Sequence, residues 1–323
     1  MILRRTLLLA PLATPALATP ALAQGLFTRP IRIVIPVVAG GGVDAAVRTI
    51  SPRLSAELGQ PVVLDNRPGG AGVLAAEIVA RSAPDGHTLL LGTVGVMAVN
   101  PTLFRNLSAD PVRDFAPISL LVNVTNLLAS PTDRPWQNVA QLVAALRASP
   151  GRLSYGSAGI GAAGHLAGAL LDHIAGTEAV HVPYRGGGQL RTDLISGKRD
   201  YAFATAATVL PHVESGRLRA LAVPTVERSR LLPEVPTMAE AGVPGYAINN
   251  WYGLAAPRAT PAPVVAALNA AVRAALGDPE NVARLAHHAL EAAPTSPEEF
   301  GRFIPAEIAR YAAIIRAAGI TGD

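Results

Sequence analysis

The chain has 323 residues, half of them hydrophobic and 15% charged, with a formal net charge of +4 and no cysteine. This profile excludes a disordered or collagen-like chain, and the missing cysteine excludes disulfide scaffolds, thiolate metal centres and cysteine nucleophiles. Aromatic residues make up only 4% and no basic stripe is interleaved with them, so the footprint of a nucleic-acid binder is missing.

Residues 1–23 read as a signal peptide. Arg4 and Arg5 precede an apolar run, Thr6 to Ala18, that Pro11 and Pro15 interrupt, and Ala21-Leu22-Ala23 supplies a small-x-small cleavage pattern. The run is too short and too broken to cross a membrane. Arg4-Arg5-Thr6-Leu7-Leu8 also carries a faint twin-arginine character. Cleavage removes only those two arginines, which leaves 300 residues with a net charge of +2, and the mature chain is expected in an extracytoplasmic compartment.

From Pro30 to Pro36 the sequence predicts a buried strand, then the turn Ala39-Gly40-Gly41-Gly42-Val43-Asp44 and a helix from Ala45 to Leu58. The unit repeats: strand Pro61–Leu64, turn Asn66–Gly72 and helix Val73–Ser82, then strand Thr88–Gly92 and a short helix around Val94–Asn100. Strands alternating with helices predict an α/β lobe with a mainly parallel sheet. Pro117–Ala129 reads as one strand leaving that lobe.

A second α/β lobe follows. Its helices are expected at Asn138–Ala148, Gly164–Ile174 and Gln189–Ser196, and its strands at Leu153–Gly156, Ala179–Pro183, Tyr201–Ala206 and Leu218–Val223. Residues 243–257 contain a further strand, and the helices Pro263–Leu276, Pro279–His288 and Pro297–Ala318 are expected to pack back on the first lobe. The expected division is therefore 24–124 plus 248–323 for the first lobe and 125–247 for the second. Two chain crossings, near 123–127 and 244–252, then give a hinged pair of lobes. In such sheets ligands sit beyond the carboxyl ends of the strands, here in the cleft between lobes.

Two glycine turns face that cleft. The turn before Ala45 and the turn Tyr155-Gly156-Ser157-Ala158-Gly159-Ile160-Gly161-Ala162-Ala163-Gly164 each present free N–H groups at a helix start, which favours an anion. Asp44 caps its helix or accepts a hydrogen bond from a ligand or water. Gly159-Ile160-Gly161-Ala162-Ala163-Gly164 also matches a dinucleotide fingerprint, but Gly156-Ser157-Ala158 separate it from the strand and Tyr184-Arg185 stand where an acid belongs. Arg185 keeps an NADP-linked enzyme open as an alternative. Ser157, His165 and Asp172 suggest a hydrolase, although His165 and Asp172 fall seven residues apart on one helix, about 10 Å along its axis. Histidines lack ligand spacing, so no metal site is expected.

Read in order, several motifs resemble the Bug-type solute receptors of tripartite tricarboxylate transporters. They are Ile35-Pro36-Val37-Val38-Ala39-Gly40-Gly41-Gly42-Val43-Asp44 with Arg48, Leu64-Asp65-Asn66-Arg67-Pro68-Gly69-Gly70-Ala71-Gly72, Ala83-Pro84-Asp85-Gly86-His87-Thr88-Leu89-Leu90, Asp114-Phe115-Ala116-Pro117, Tyr155-Gly156-Ser157, His165-Leu166, His181-Val182-Pro183-Tyr184-Arg185-Gly186 and Trp251-Tyr252-Gly253-Leu254 with Pro257.

The resemblance implies a type II periplasmic binding-protein fold of two Rossmann-like lobes around a hinge and interlobe cleft. It implies a receptor without cofactor or covalent chemistry, acting as a monomer. The ligand would be a small organic carboxylate (a di- or tricarboxylate, an acidic amino acid or an aromatic acid) held by loop backbone and bridging waters and passed to membrane transporter subunits. Matching positions put the ligand against Val38, Ala39, Gly40, Gly41, Gly42, Val43, Asp44 and Thr93 in the first lobe. In the second lobe they are Ser157, Ala158, Gly159, His165, Thr205 and Ala206. Val37, Val38 and Ala204 depart from the aromatic, proline and acidic residue often found there, which points to a different or less amine-like ligand. A sensor without a transporter is the remaining alternative.

Overall fold

The computed structural model describes residues 25–322, so the signal-peptide expectation for residues 1–23 lies outside the described residues. The sequence Ile31–Ile35 (β1) is buried at all but Arg32, as befits a strand covered on both faces. The chain continues through α1 (Gly42–Leu58), β2 (Val62–Asn66), α2 (Val73–Ala80) and β3 (Thr88–Thr93). A five-residue π-helical turn, Gly95–Val99, leads into α3 (Asn100–Leu103) and then β4 (Phe115–Val124). β1 pairs in parallel with both β2 and β3.

The strand expected over residues 117–129 is two strands in two different sheets, β4 and β5 (Asn126–Pro131), broken at Thr125. The break falls where distant segments take the backbone: Thr125 N–H donates to Ala289 O (3.2 Å), while Thr125 O accepts from Ala206 N–H (2.8 Å). One residue thus hands its two backbone groups to opposite lobes. The second lobe comprises β5, α4 (Val139–Ala148), β6 (Ser154–Ser157), α5 (Ala163–Ala175), β7 (Val180–Pro183), α6 (Gly187–Ile195), β8 (Tyr201–Thr205), α7 (Ala206–Glu214) and β9 (Leu218–Ala222). Its five strands lie in the order β7-β6-β8-β5-β9.

The chain then returns through β10 (Trp251–Pro257), α8 (Ala262–Gly277), α9 (Pro279–His287), β11 (Leu290–Ala292) and α10 (Pro297–Ala317). β10 inserts antiparallel between β3 and β4, and the six-stranded order is β11-β4-β10-β3-β1-β2. Both sheets are therefore mixed, where the repeated strand-helix units had suggested mainly parallel ones. Each crossing strand enters without a crossover helix and so runs back against its neighbour; β5, antiparallel to β8 and β9, does the same in the second lobe. β11 was not anticipated, because three residues carry no readable alternation.

The C-terminal helices cover the six-stranded sheet. α8 packs on α1 and β4, and α10 lies along β4. A capping box between Ser296 and Glu299, with Pro297 at the first helical position, starts α10. Farther along, its Glu307 accepts a buried hydrogen bond from Trp251 Nε1 at 2.8 Å. Among the described residues no helix is long and apolar enough to cross a membrane.

Candidate functional site

Four helices begin at the cleft, one in the first lobe and three in the second. Gly41 precedes α1 in the first lobe; Ala162, Gly186 and Thr205 precede α5, α6 and α7 in the second, and none of the four starts is capped by a side chain. The first N–H groups of an α-helix have no acceptor inside it, so each start leaves donors aimed at the gap. Away from the cleft the pattern reverses: Asn138, Asp278 and Ser296 cap α4, α9 and α10. Two further starts, Gly72 before α2 and Pro261 before α8, also lack a side-chain cap.

The four starts meet around a cavity of about 90 Å³ whose wall carries no Asp, Glu, Lys, Arg or His. That is room for several water-sized groups. Its polar side chains are neutral: Thr93, Asn126, Thr205, Thr208, Asn250 and Tyr252. Four helix dipoles with their positive ends turned inward and no fixed charge suit one anion. A wider outer chamber of about 610 Å³ adjoins it toward solvent and shares Val37, Thr93, Gly95, Ala158 and Ala162 with it.

The lobes close on each other through glycines. A Cβ placed on Gly42 would lie 2.9 Å from Thr205 Oγ1, one on Gly186 would lie 2.8 Å from Val38 Cγ2, and one on Gly95 would lie 3.0 Å from Gly161 O. Each pair spans the cleft. A side chain at these positions would press against the opposite lobe.

Of the residues expected at the site, Val38, Gly41, Gly42, Val43, Thr93, Ala158 and Thr205 line the inner cavity, and Gly159 lines the outer chamber. Ala39 and Gly40 are solvent-exposed behind the turn, Gly40 with a left-handed φ of 89°. Asp44 faces its own turn: its Oδ2 accepts from Gly40 N–H (3.2 Å) and from Arg48 Nε (2.8 Å), while its buried Oδ1 has no hydrogen-bond partner. That pairing raises the Arg48 guanidinium further above its usual range. Ala206 is buried at the crossing, with its N–H on Thr125 O.

Ser157 and His165 shape the second-lobe turn from behind. Ser157 Oγ lies 2.7 Å from His181 Nε2 and 3.0 Å from Gly159 O, and Gly161 N–H donates to His165 Nδ1 at 3.2 Å. The two imidazoles stack at 4.1 Å, and the Tyr155 ring stacks on the other face of His181 at 4.8 Å. Burial holds His165 at about 4 and His181 at about 3, the latter pushed further by its stacked neighbour, so both are neutral at pH 7. With Nδ1 accepting, neutral His165 carries its proton on Nε2. Asp172, which burial pushes up in pKa, accepts from Thr177 Oγ1 and Ala179 N–H and joins neither histidine.

Several lining residues were missed in the sequence. Gly186 and Gly187 carry the same strand-glycine-helix signal as the two recognised turns and could have been found by it. Asn126 and Asn250, whose side chains bond each other at 2.9 Å where the two crossings meet, had no such signal. His181 was quoted only as part of a motif, and its partnership with Ser157 follows from strand pairing, which sets Tyr155 opposite His181 and Ser157 opposite Pro183. Among the described residues no cluster of His, Asp and Glu could hold a metal ion.

Residues 46–320 match the family model of the tripartite tricarboxylate transporter family receptor, and the chain belongs to that family. Its members are periplasmic solute receptors. A protein from the tcbD-tcbE intergenic region of Pseudomonas sp. (strain P51) is 38% identical over 89% of this chain and 86% of its own length. Among solved structures, the R. palustris protein Rpa4515 with adipate superposes with a TM-score of 0.88 at 38% identity, covering 91% of this chain and 98% of its own. MatC from Rhodopseudomonas palustris with bound malate gives 0.85 at 32% identity, covering 89% and 99%.

Proposed function

We propose that this chain is an extracytoplasmic receptor whose lobes close over a small organic carboxylate and present it to the membrane subunits of a tripartite tricarboxylate-type transporter. The observation that carries the reading is the convergence of four uncapped helix starts, from both lobes, on a cavity without a charged side chain. Adipate and malate in the two solved relatives support the same ligand class.

A carboxylate at the helix starts replaces the water that those N–H groups bind in an open cleft. Its contacts from both sides favour the closed arrangement by differential affinity, and no bond need form or break. Gly41, Gly42, Val43, Thr93, Ala158 and Thr205 touch the ligand in this reading; Val38 closes the wall, and Ser157 and His165 hold the second turn in shape. Export through residues 1–23 and action as a single chain complete the proposal.

Thermal unfolding against a panel of mono-, di- and tricarboxylates and amines tests it. One acid class should raise the midpoint, with a gain of about 2.7 kcal/mol at a ligand concentration a hundredfold above Kd. If amines stabilise the protein while every acid leaves it unchanged, the reading falls.

A further inference from the structure

The outer chamber has one charged side chain in its wall, Arg185. Every other lining residue is uncharged: prolines 36, 68 and 183, the glycine turn 69–72, and apolar or small residues of both lobes. Arg185 is exposed, and among the described residues it pairs with no carboxylate. Nothing acidic in the chamber competes for it.

The backbone that carries Arg185 is fixed on both sides. Tyr184 N–H donates to Ser157 O (3.0 Å) and its hydroxyl to Asp193 Oδ2 (3.0 Å). On the other side Gly186 lies against Val38 of the opposite lobe. Arg185 thus stands in the wall of the outer chamber, next to the point where Gly186 meets the opposite lobe. The two chambers adjoin, with five wall residues in common.

Resting on the carboxylate reading above, we propose that the outer chamber is a second subsite in which Arg185 receives a distal anionic group. The first carboxylate of the same ligand then sits at the helix starts. The guanidinium fork matches a carboxylate in two parallel hydrogen bonds and repels an ammonium. The substrate class is then an extended dicarboxylate, favoured over a monocarboxylate and over an amino acid of equal length.

Isothermal titration with two matched series tests this: adipate, hexanoate and 6-aminohexanoate, then succinate, butyrate and 4-aminobutyrate. In at least one series the wild type should bind the diacid most tightly and the amino acid least. Arg185→Gln should weaken the diacid by about fivefold or more and leave the monoacid unchanged, with ligand-free unfolding as in the wild type. Arg185→Lys, which keeps the charge but loses the fork, should fall between. Equal weakening of mono- and diacid by Arg185→Gln, or no change in either, overturns the subsite while leaving the receptor reading intact. Failure of all six compounds to bind the wild type overturns the carboxylate reading and the subsite with it.

Discussion

The two walls of the cleft do the same job with different materials. The first-lobe wall, Val38 to Val43, is backbone on an exposed turn, braced by one side chain, Asp44, which ties Gly40 N–H and Arg48. The second-lobe turn, Ser157 to Gly164, stands on a buried ladder of Ser157, His181, His165 and Tyr155. Preorganisation is thus unequal: the second wall is held before any ligand arrives, while the first depends on a glycine turn and closure.

The largest expected effect comes from attacking the rigid wall. A Cβ on Gly164 would sit 2.2 Å from Phe203 O, backbone against backbone in the contact of α5 with β8, and neither can step aside. Gly164→Ala should therefore cost on the order of 3 kcal/mol of folding stability, read by urea unfolding. A loss under about 0.5 kcal/mol would mean the second wall is no stiffer than the first. Next is Gly42→Val in the first wall, where the added Cβ alone would meet Thr205 across the cleft. Ligand-free unfolding should be nearly unchanged and ligand-induced stabilisation lost; normal stabilisation would show that closure does not bring these residues together.

A smaller effect is the response to pH. Both imidazoles have folded values, about 4 and about 3, below the unfolded value of about 6.5. The unfolded chain then binds more protons between those values, so stability rises with pH and is lost as pH falls from about 6.5 toward 4. Each imidazole should contribute a loss on the order of 2 kcal/mol between pH 7 and pH 5. His181→Gln should flatten that slope in urea titrations at pH 7, 6 and 5. An unchanged slope would place the pH response elsewhere.

Much of this was legible because strand, glycine turn and helix recur in an order that local chemistry dictates. β1 to α1 and β6 to α5 both follow from a buried run, glycines that open the turn, and an amphipathic helix. What was illegible depends on distant partners. Thr125 looks like any strand residue until Ala289 and Ala206 claim its two backbone groups. β10 and β11 reverse the sheet's direction by pairing with strands more than a hundred residues away in sequence. In the site, glycines announced themselves, but the Asn126–Asn250 pair and the stacked histidines exist only after the sheets form. Ser157 and His165 were recognisable as important residues, whereas their place behind the turn required the strand register of β6 and β7.

The smallest effect asks whether the second wall offers side chains or only backbone to the ligand. Thr205 starts α7 without capping it; its hydroxyl instead bonds Thr208 Oγ1 at 2.8 Å, and both residues line the cavity. Thr205→Val keeps the shape that meets Gly42 and removes one hydroxyl, so closure geometry is preserved while the cavity loses a donor. One such hydrogen bond is worth about 1 kcal/mol, which predicts a carboxylate affinity about fivefold weaker. Thr205→Ser, which keeps the hydroxyl and drops the methyl, should bind close to the wild type. If the valine variant binds as tightly as the wild type, both walls act through peptide N–H groups alone. The difference between them would then lie only in what braces them.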